Sequence, residues 1–152
     1  MDDGALDEAL EVGVRLLARR EHASQELRLK LRQRGFGEAV IEAALGKLSE
    51  RGYLSDERFV DVYIRHRCEQ GYGPVRIVAD LQARGVDEQV YRPYLDELDV
   101  DWVAMAREHK RRRFGAGRPA DRREWGRQGR FLANRGFTAE QVRKVLGDDD
   151  DA

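Results

Sequence analysis

The sequence predicts an all-α fold: an elongated tandem array of three three-helix, helix-turn-helix-like repeats, about nine helices in all. Three observations predict it. The pattern Leu-x-x-Arg-Gly-hydrophobic occurs three times, as LRQRGF at 31–36, LQARGV at 81–86 and LANRGF at 132–137, with periods of 50 and 51 residues. Apolar residues recur at spacings of three and four, the signature of amphipathic helices, and no stretch alternates with the period of two that marks a strand. Only three prolines occur and 38% of the residues are charged, which suits helices with broad solvated faces.

The glycines set the register. Four residues before Gly35, Gly85 and Gly136 stand Leu31, Leu81 and Leu132; ten residues after stand Leu45, Leu95 and Leu146. A helix commonly ends with a left-handed glycine just past its cap, and the residue after that glycine then touches the one four positions before it. The pattern therefore reads as a helix stop, with Leu31 against Phe36, Leu81 against Val86 and Leu132 against Phe137. Arg34, Arg84 and Arg135 fall at the cap, where a cation meets the negative end of the helix dipole. Gly37, Asp87 and Thr138 follow as N-caps of the next helix, and Thr138 with Gln141 forms a capping-box pattern.

Each repeat then takes a helix upstream of this pair. In repeat 1 (6–54) it runs from about 6 to 20, with Leu10, Val14 and Leu17 on one face, followed by Leu27 and Leu31, then Val40, Ile41, Leu45 and Leu48. In repeat 2 (55–99) it runs over 56–69, capped by Ser55, with Phe59, Val62, Tyr63 and His66 inward. Ile77, Val78 and Leu81 follow, then Val90, Tyr91, Tyr94 and Leu95. GYGPVRI at 71–77 reads as a tight turn with Pro74 at a first helical position; two glycines without a following Lys-Ser/Thr make a poor phosphate cradle. Repeat 3 (100–147) opens with a helix over 100–113. The acidic ends, 1–5 and 148–152, are expected to be disordered.

Composition excludes several classes. No apolar run approaches the ~18 residues of a membrane span. The N-terminus MDDGALDEAL lacks the basic start and apolar middle of a secretory signal. A single cysteine, Cys68, rules out an internal disulfide framework and suits a reducing cytoplasm. His22, His66 and His109 occupy different places in their repeats, and His66 with Cys68 is too little for a zinc site. No nucleophile, base and orienting group converge, so neither an enzyme, a cofactor, a metal nor a small-molecule substrate is expected.

Charge says more. The net charge of −1 hides a residue 100–147 segment carrying +8. Twenty-four of the 28 basic residues are arginine, so their clustering matters more than their number. Arg107, Lys110, Arg111, Arg112 and Arg113 crowd two turns before Phe114, and Arg122, Arg123 and Arg127 follow the RFGAGRP turn. Arg28 and Arg32 make a second stripe on one helix face. These ten residues are the candidate partner- and DNA-binding residues; DNA phosphates or an acidic protein surface would both suit them.

LLARREHASQELRLKLRQRGF at 16–36, GYLSDERFV at 52–60, GYGPVRIVADLQARGV at 71–86 and RFLANRGFTAEQVRKVL at 130–146 resemble the RecX family of recombination regulators. The resemblance covers about residues 6–147. It implies a non-catalytic, cytoplasmic protein, expected to be a monomer, that binds the RecA recombinase and its filament on single-stranded DNA. It further implies restraint of RecA's ATPase, strand exchange and SOS co-protease activity, with DNA held only weakly through the basic surface. A stand-alone helical DNA-binding protein is the alternative.

Overall fold

A computed structural model describes residues 3–148. Nine helices and no strand occur among the described residues. The first three are α1 (Asp3–Arg19), α2 (Ser24–Gln33) and α3 (Glu38–Glu50); next come α4 (Asp56–Glu69), α5 (Pro74–Ala83) and α6 (Glu88–Glu97); the last are α7 (Trp102–Phe114), α8 (Arg122–Asn134) and α9 (Ala139–Leu146). Among the described residues, no helix is long and apolar enough to cross a membrane. Residues 3–5, expected to be disordered, are helical: Asp3 stands in the first turn of α1, where a carboxylate favours the positive end of the dipole. The rest of the expected disordered ends, apart from Asp148, lies outside the described residues.

The three stops are the glycine turns. Gly35, Gly85 and Gly136 have φ of 93°, 77° and 102°, where only glycine is unstrained. Phe36, Val86 and Phe137 each donate their N–H to the carbonyl of Leu31, Leu81 and Leu132, at 3.3, 3.1 and 3.3 Å. The glycine N–H groups bond the carbonyls of Arg32, Gln82 and Ala133, each at 3.0 Å. This is the paired-bond Schellman geometry in all three copies. The starts follow too. Arg58 N–H bonds Ser55 Oγ, Gln141 N–H bonds Thr138 Oγ1 at 3.1 Å, and Gln141 Oε1 accepts the Thr138 N–H in return.

Internal packing divides the chain into two units. One runs to Tyr63 and includes Leu81–Leu95; the other holds Ile64–Asp80 and everything from Asp96 on. In the first unit, α3 packs on α1 and α2 around Leu27, Leu31, Ile41, Ala44 and Leu48, all inaccessible to solvent. Each of the leucine and isoleucine side chains contributes ~1.5–3 kcal/mol on burial. The face of α1 differs from expectation. Its buried residues are the small Ala9 and Gly13, with Leu10, Val14 and Leu17 only partly covered. A Cβ on Gly13 would lie 2.6 Å from Leu48 Cδ1, so close approach of α1 to α3 requires the glycine. On α4 the inward face is Phe59, Val60 and Ile64; Val62 and His66 are exposed, because the stripe advances by one residue from the expected one.

In the second unit α7, α8 and α9 pack on one another around Ala106, Leu132, Phe137, Val142 and Leu146, with Trp102, Met105 and Trp125 at the margin.

The cap arginines reach beyond their own helices. Arg84 Nη1 donates to Glu26 Oε2 at 2.8 Å, and its guanidinium lies over the Tyr63 ring. Glu26 in turn accepts the Ala23 N–H at the start of α2. Arg135 donates to the carbonyls of Gln70 and Gly71, and its turn carbonyls accept from the start of α5: Gly73 N–H to Arg135 O and Val75 N–H to Gly136 O, both at 2.8 Å. In each unit, then, a glycine turn is wired to the N-terminus of a middle helix. Gly71 and Gly73 belong to this contact: Gly71 has φ 86° and packs on His109, while a Cβ on Gly73 would strike the Gly136 carbonyl.

Candidate binding surface on the third repeat

Asp101 and Asp121 fix the two helices that carry the basic residues. Each accepts, through Oδ1, the N–H three residues on, Ala104 at 3.0 Å and Glu124 at 2.8 Å. The dipole then places α7's cationic last turn, Arg111 to Arg113, at its negative end. Gly115, at φ 89°, turns the chain toward α8.

The clustered cations separate into distinct roles. Lys110, expected at the docking surface, is 4% exposed. Its ammonium donates to the carbonyls of Gly115 (2.6 Å) and Gly117, closing the turn after α7. A buried ammonium needs such partners, so Lys110 serves the fold and not a surface. Arg111 and Arg112 flank Glu108, whose carboxyl their hydrogen bonds hold down at about 2. These pairs are solvent-exposed, so salt screens them and an incoming anion can replace Glu108 readily. Arg107 and Arg118, both exposed, border a smaller hollow with Val145. Arg122 and Arg123 are exposed at the start of α8.

Arg112, Arg113 and Arg127 come together. With His109, Phe131 and Arg135 they line a groove of about 510 Å³. Phe131 on its lining meets Phe114 edge to face, with centroids 5.3 Å apart. Arg113 lies over both rings, at 5.8 and 5.2 Å, and Arg127 over Phe114 at 5.2 Å. The rings hold the two guanidinia in place without neutralising them. Burial, and then the charges of Arg135 and Arg112, hold the His109 pKa below its usual range. The imidazole is therefore neutral when the groove is empty, and an anion bound there would raise its pKa.

Arg28 and Arg32 lie in the other unit. Arg28 is held by Glu42 at 2.7 Å and Arg32 by Glu38 at 2.6 Å. Sequence reasoning missed His109, Phe131 and Arg135 as groove residues. Arg135 was legible as a repeated cap, but nothing in the spacing said that its side chain leaves the cap. Around Tyr72, Arg135 joins Arg67 and Arg76, all three guanidinia within 4.6–5.1 Å of the ring centroid.

Among the described residues, no group of three or more His, Cys, Asp or Glu could hold a metal ion. Burial, with Glu69 adding to it, pushes the Cys68 thiol up, which leaves it protonated and a poor nucleophile.

Comparisons with known proteins agree with this architecture. Family models match in three consecutive segments: the first three-helix domain of RecX at residues 9–48, the second at 55–92 and the third at 99–146. A Regulatory protein RecX from Halorhodospira halophila is 49% identical, over 97% of this chain and 94% of its own. A Regulatory protein RecX from Pseudomonas entomophila is 47% identical, over 86% of this chain and 84% of its own. The crystal structure of RecX from Lactobacillus salivarius has the same fold, with a TM-score of 0.79 at 18% identity, covering 98% of this chain and 99% of its own.

Proposed function

Because the chain belongs to the RecX family of regulatory proteins, we propose that it is a non-enzymatic regulator of the RecA recombinase. It binds RecA, chiefly as the filament on single-stranded DNA in the cytoplasm, and lowers the recombinase's ATPase, strand-exchange and SOS co-protease activity. The observation that carries this reading is the groove of Arg112, Arg113, Arg127, Arg135 and His109 against Phe131. It gathers positive charge on rigid helices without a nucleophile-and-base pair, which is the chemistry of docking and not of turnover. Phosphates of the filament's DNA, or carboxylates of RecA, would displace solvent from it.

The test is inhibition of RecA's single-stranded-DNA-dependent ATPase by a variant with Arg112, Arg113 and Arg127 changed to Ser. The half-inhibitory concentration is expected to rise about tenfold or more, equivalent to ~1.4 kcal/mol. Inhibition unchanged at physiological salt refutes the assignment.

Phe131 in the groove also fits a stand-alone single-strand binder, since bases stack on aromatic and guanidinium planes. Titration with bare oligonucleotides over a salt series separates the two readings. Binding that fades steeply with salt reflects counterion release alone, while tight, sequence-selective binding without RecA favours the second.

A further inference from the structure

A second groove lies on the other side of α8, and its chemistry is the reverse of the first. Gly126, Gly129 and Ala133 on α8 and Ala139 and Val142 on α9 line a hollow of about 450 Å³. Arg130 and Arg143 stand at its rim, both exposed. Their neighbours Arg127 and Lys144 pair with Glu124 and Glu140; among the described residues, Arg130 and Arg143 form no ion pair.

The glycines are informative. Both sit inside a helix, where glycine is, after proline, the least favourable residue. Gly129 has a reason within the fold: a Cβ there would lie 3.1 Å from the Trp125 ring, which is fixed by its Nε1 bond to the Gly147 carbonyl. Gly126 has none. A Cβ there would meet only the mobile end of Arg130, at 3.2 Å. A bare backbone at an apolar floor permits close approach of another backbone.

We infer that the α8–α9 groove receives an acidic amphipathic helix of the protein partner. The inference rests on the RecA reading above and assigns this groove, in addition to the basic one, to the protein–protein contact. A helix fits because the small residues let its apolar face sink between α8 and α9, whereas an all-helical groove offers no strand edge for an extended peptide. The acidic flanks are specified by the two rim guanidinia, which have charge to offer and no carboxylate to surrender. The uncharged floor suits apolar side chains and gives nothing to a phosphate chain.

The test compares wild type, Gly126→Leu and the double variant R130E/R143E in binding to purified RecA filaments. The filaments are assembled on single-stranded DNA with a non-hydrolysable ATP analogue; binding to the bare oligonucleotide and urea unfolding are measured in parallel. Leucine fills the groove and improves the helix. Gly126→Leu is therefore expected to unfold no more easily than wild type, yet to bind filaments about tenfold or more weakly. R130E/R143E is expected to weaken filament binding by a similar factor. Filament binding by Gly126→Leu within about twofold of wild type overturns the inference, even if R130E/R143E weakens it. So does a loss of oligonucleotide binding that parallels the loss of filament binding, which would make the groove a nucleic-acid site. Stronger filament binding on deleting residues 149–152, with Gly126→Leu inert, would assign the rim arginines to the chain's own acidic end and also overturn it. If wild type itself ignores RecA filaments, the RecA reading fails with it, an outcome distinct from the other three.

Discussion

Three glycines in the same turn, with the same hydrogen bonds, should tolerate alanine very differently. At Gly35, with φ 93°, a Cβ meets nothing within 4 Å, so Gly35→Ala carries only the left-handed strain of an L-residue, about 1–2 kcal/mol. At Gly85 the new methyl comes within 2.7–2.8 Å of Gln25 Cγ and Cβ, the stem of an exposed side chain. Part of that clash relaxes, for about 1 kcal/mol more. At Gly136 it meets Arg76 Cβ at 2.4 Å and the Arg76 backbone nitrogen at 2.7 Å, in the first turn of α5, which cannot rotate away. The turn must withdraw, weakening the two 2.8 Å bonds from Gly73 and Val75. At about 0.5–1.5 kcal/mol per bond, Gly136→Ala costs about 2–5 kcal/mol in all. Urea unfolding followed by far-ultraviolet circular dichroism should rank the losses Gly136 over Gly85 over Gly35. A loss at Gly35 equal to that at Gly136 would refute the claim that the second and third turns are docked to middle helices while the first is free.

Other consequences follow from single contacts. His22 is buried, with Nδ1 3.1 Å from the Arg20 carbonyl and Nε2 2.8 Å from Lys30 Nζ. Burial chiefly lowers its pKa from 6.5; the hydrogen bond to the Arg20 carbonyl opposes this, the charges of Arg20 and Lys30 add to it, and Glu26 opposes it more weakly. The unfolded chain thus binds a proton that the folded one refuses. This share of stability is complete above pH 6.5 and is lost as pH falls through the lower folded value; His22→Gln should flatten the pH dependence of the urea midpoint over that window. Lys110→Met should cost about 1–3 kcal/mol by leaving the Gly115 and Gly117 carbonyls unpaired, while Arg111→Ser should leave urea unfolding nearly unchanged. Arg84→Ala should raise amide exchange at the start of α2, where Glu26 would lose one of its restraints.

The helix stops were legible because a Schellman turn is written in four of six consecutive positions: a leucine, a cap, a glycine and a hydrophobic. Periodicity was less reliable. On α4 the run Phe59, Val60, Val62, Tyr63, Ile64 offers two overlapping stripes, and only packing decides that Val60 and Ile64 turn inward while Val62 is left 54% exposed. On α1 the leucines drew attention, yet the closest approach belongs to Ala9 and Gly13, where the absence of side chain is the signal. The basic cluster was legible as charge and not as geometry. Five cations within seven residues look alike in sequence, but a helix sends Lys110 into its own C-terminal turn, Arg111 and Arg112 to Glu108, and Arg112 and Arg113 toward the groove.

The cap arginines show how a local rule and a long-range one can occupy the same residue. A cation at a helix C-terminus needs no further reason. That sufficiency concealed what Arg84 and Arg135 do, because dipole complementarity is satisfied by charge anywhere near the last turn, whereas reach is set by what stands opposite. Opposite Arg84 is Glu26, and opposite Arg135 are the Gln70 and Gly71 carbonyls; for Arg34, exposed at the first turn, the dipole argument is enough. One motif therefore stops a helix in every repeat and ties repeats together in two of them. Arg135 carries this one step further. By lining the basic groove while bonded to the turn before α5, it links the geometry of the proposed docking surface to the contact that holds its unit together. Loss of Arg135 should then impair binding and stability together, whereas loss of Arg113 should impair binding alone.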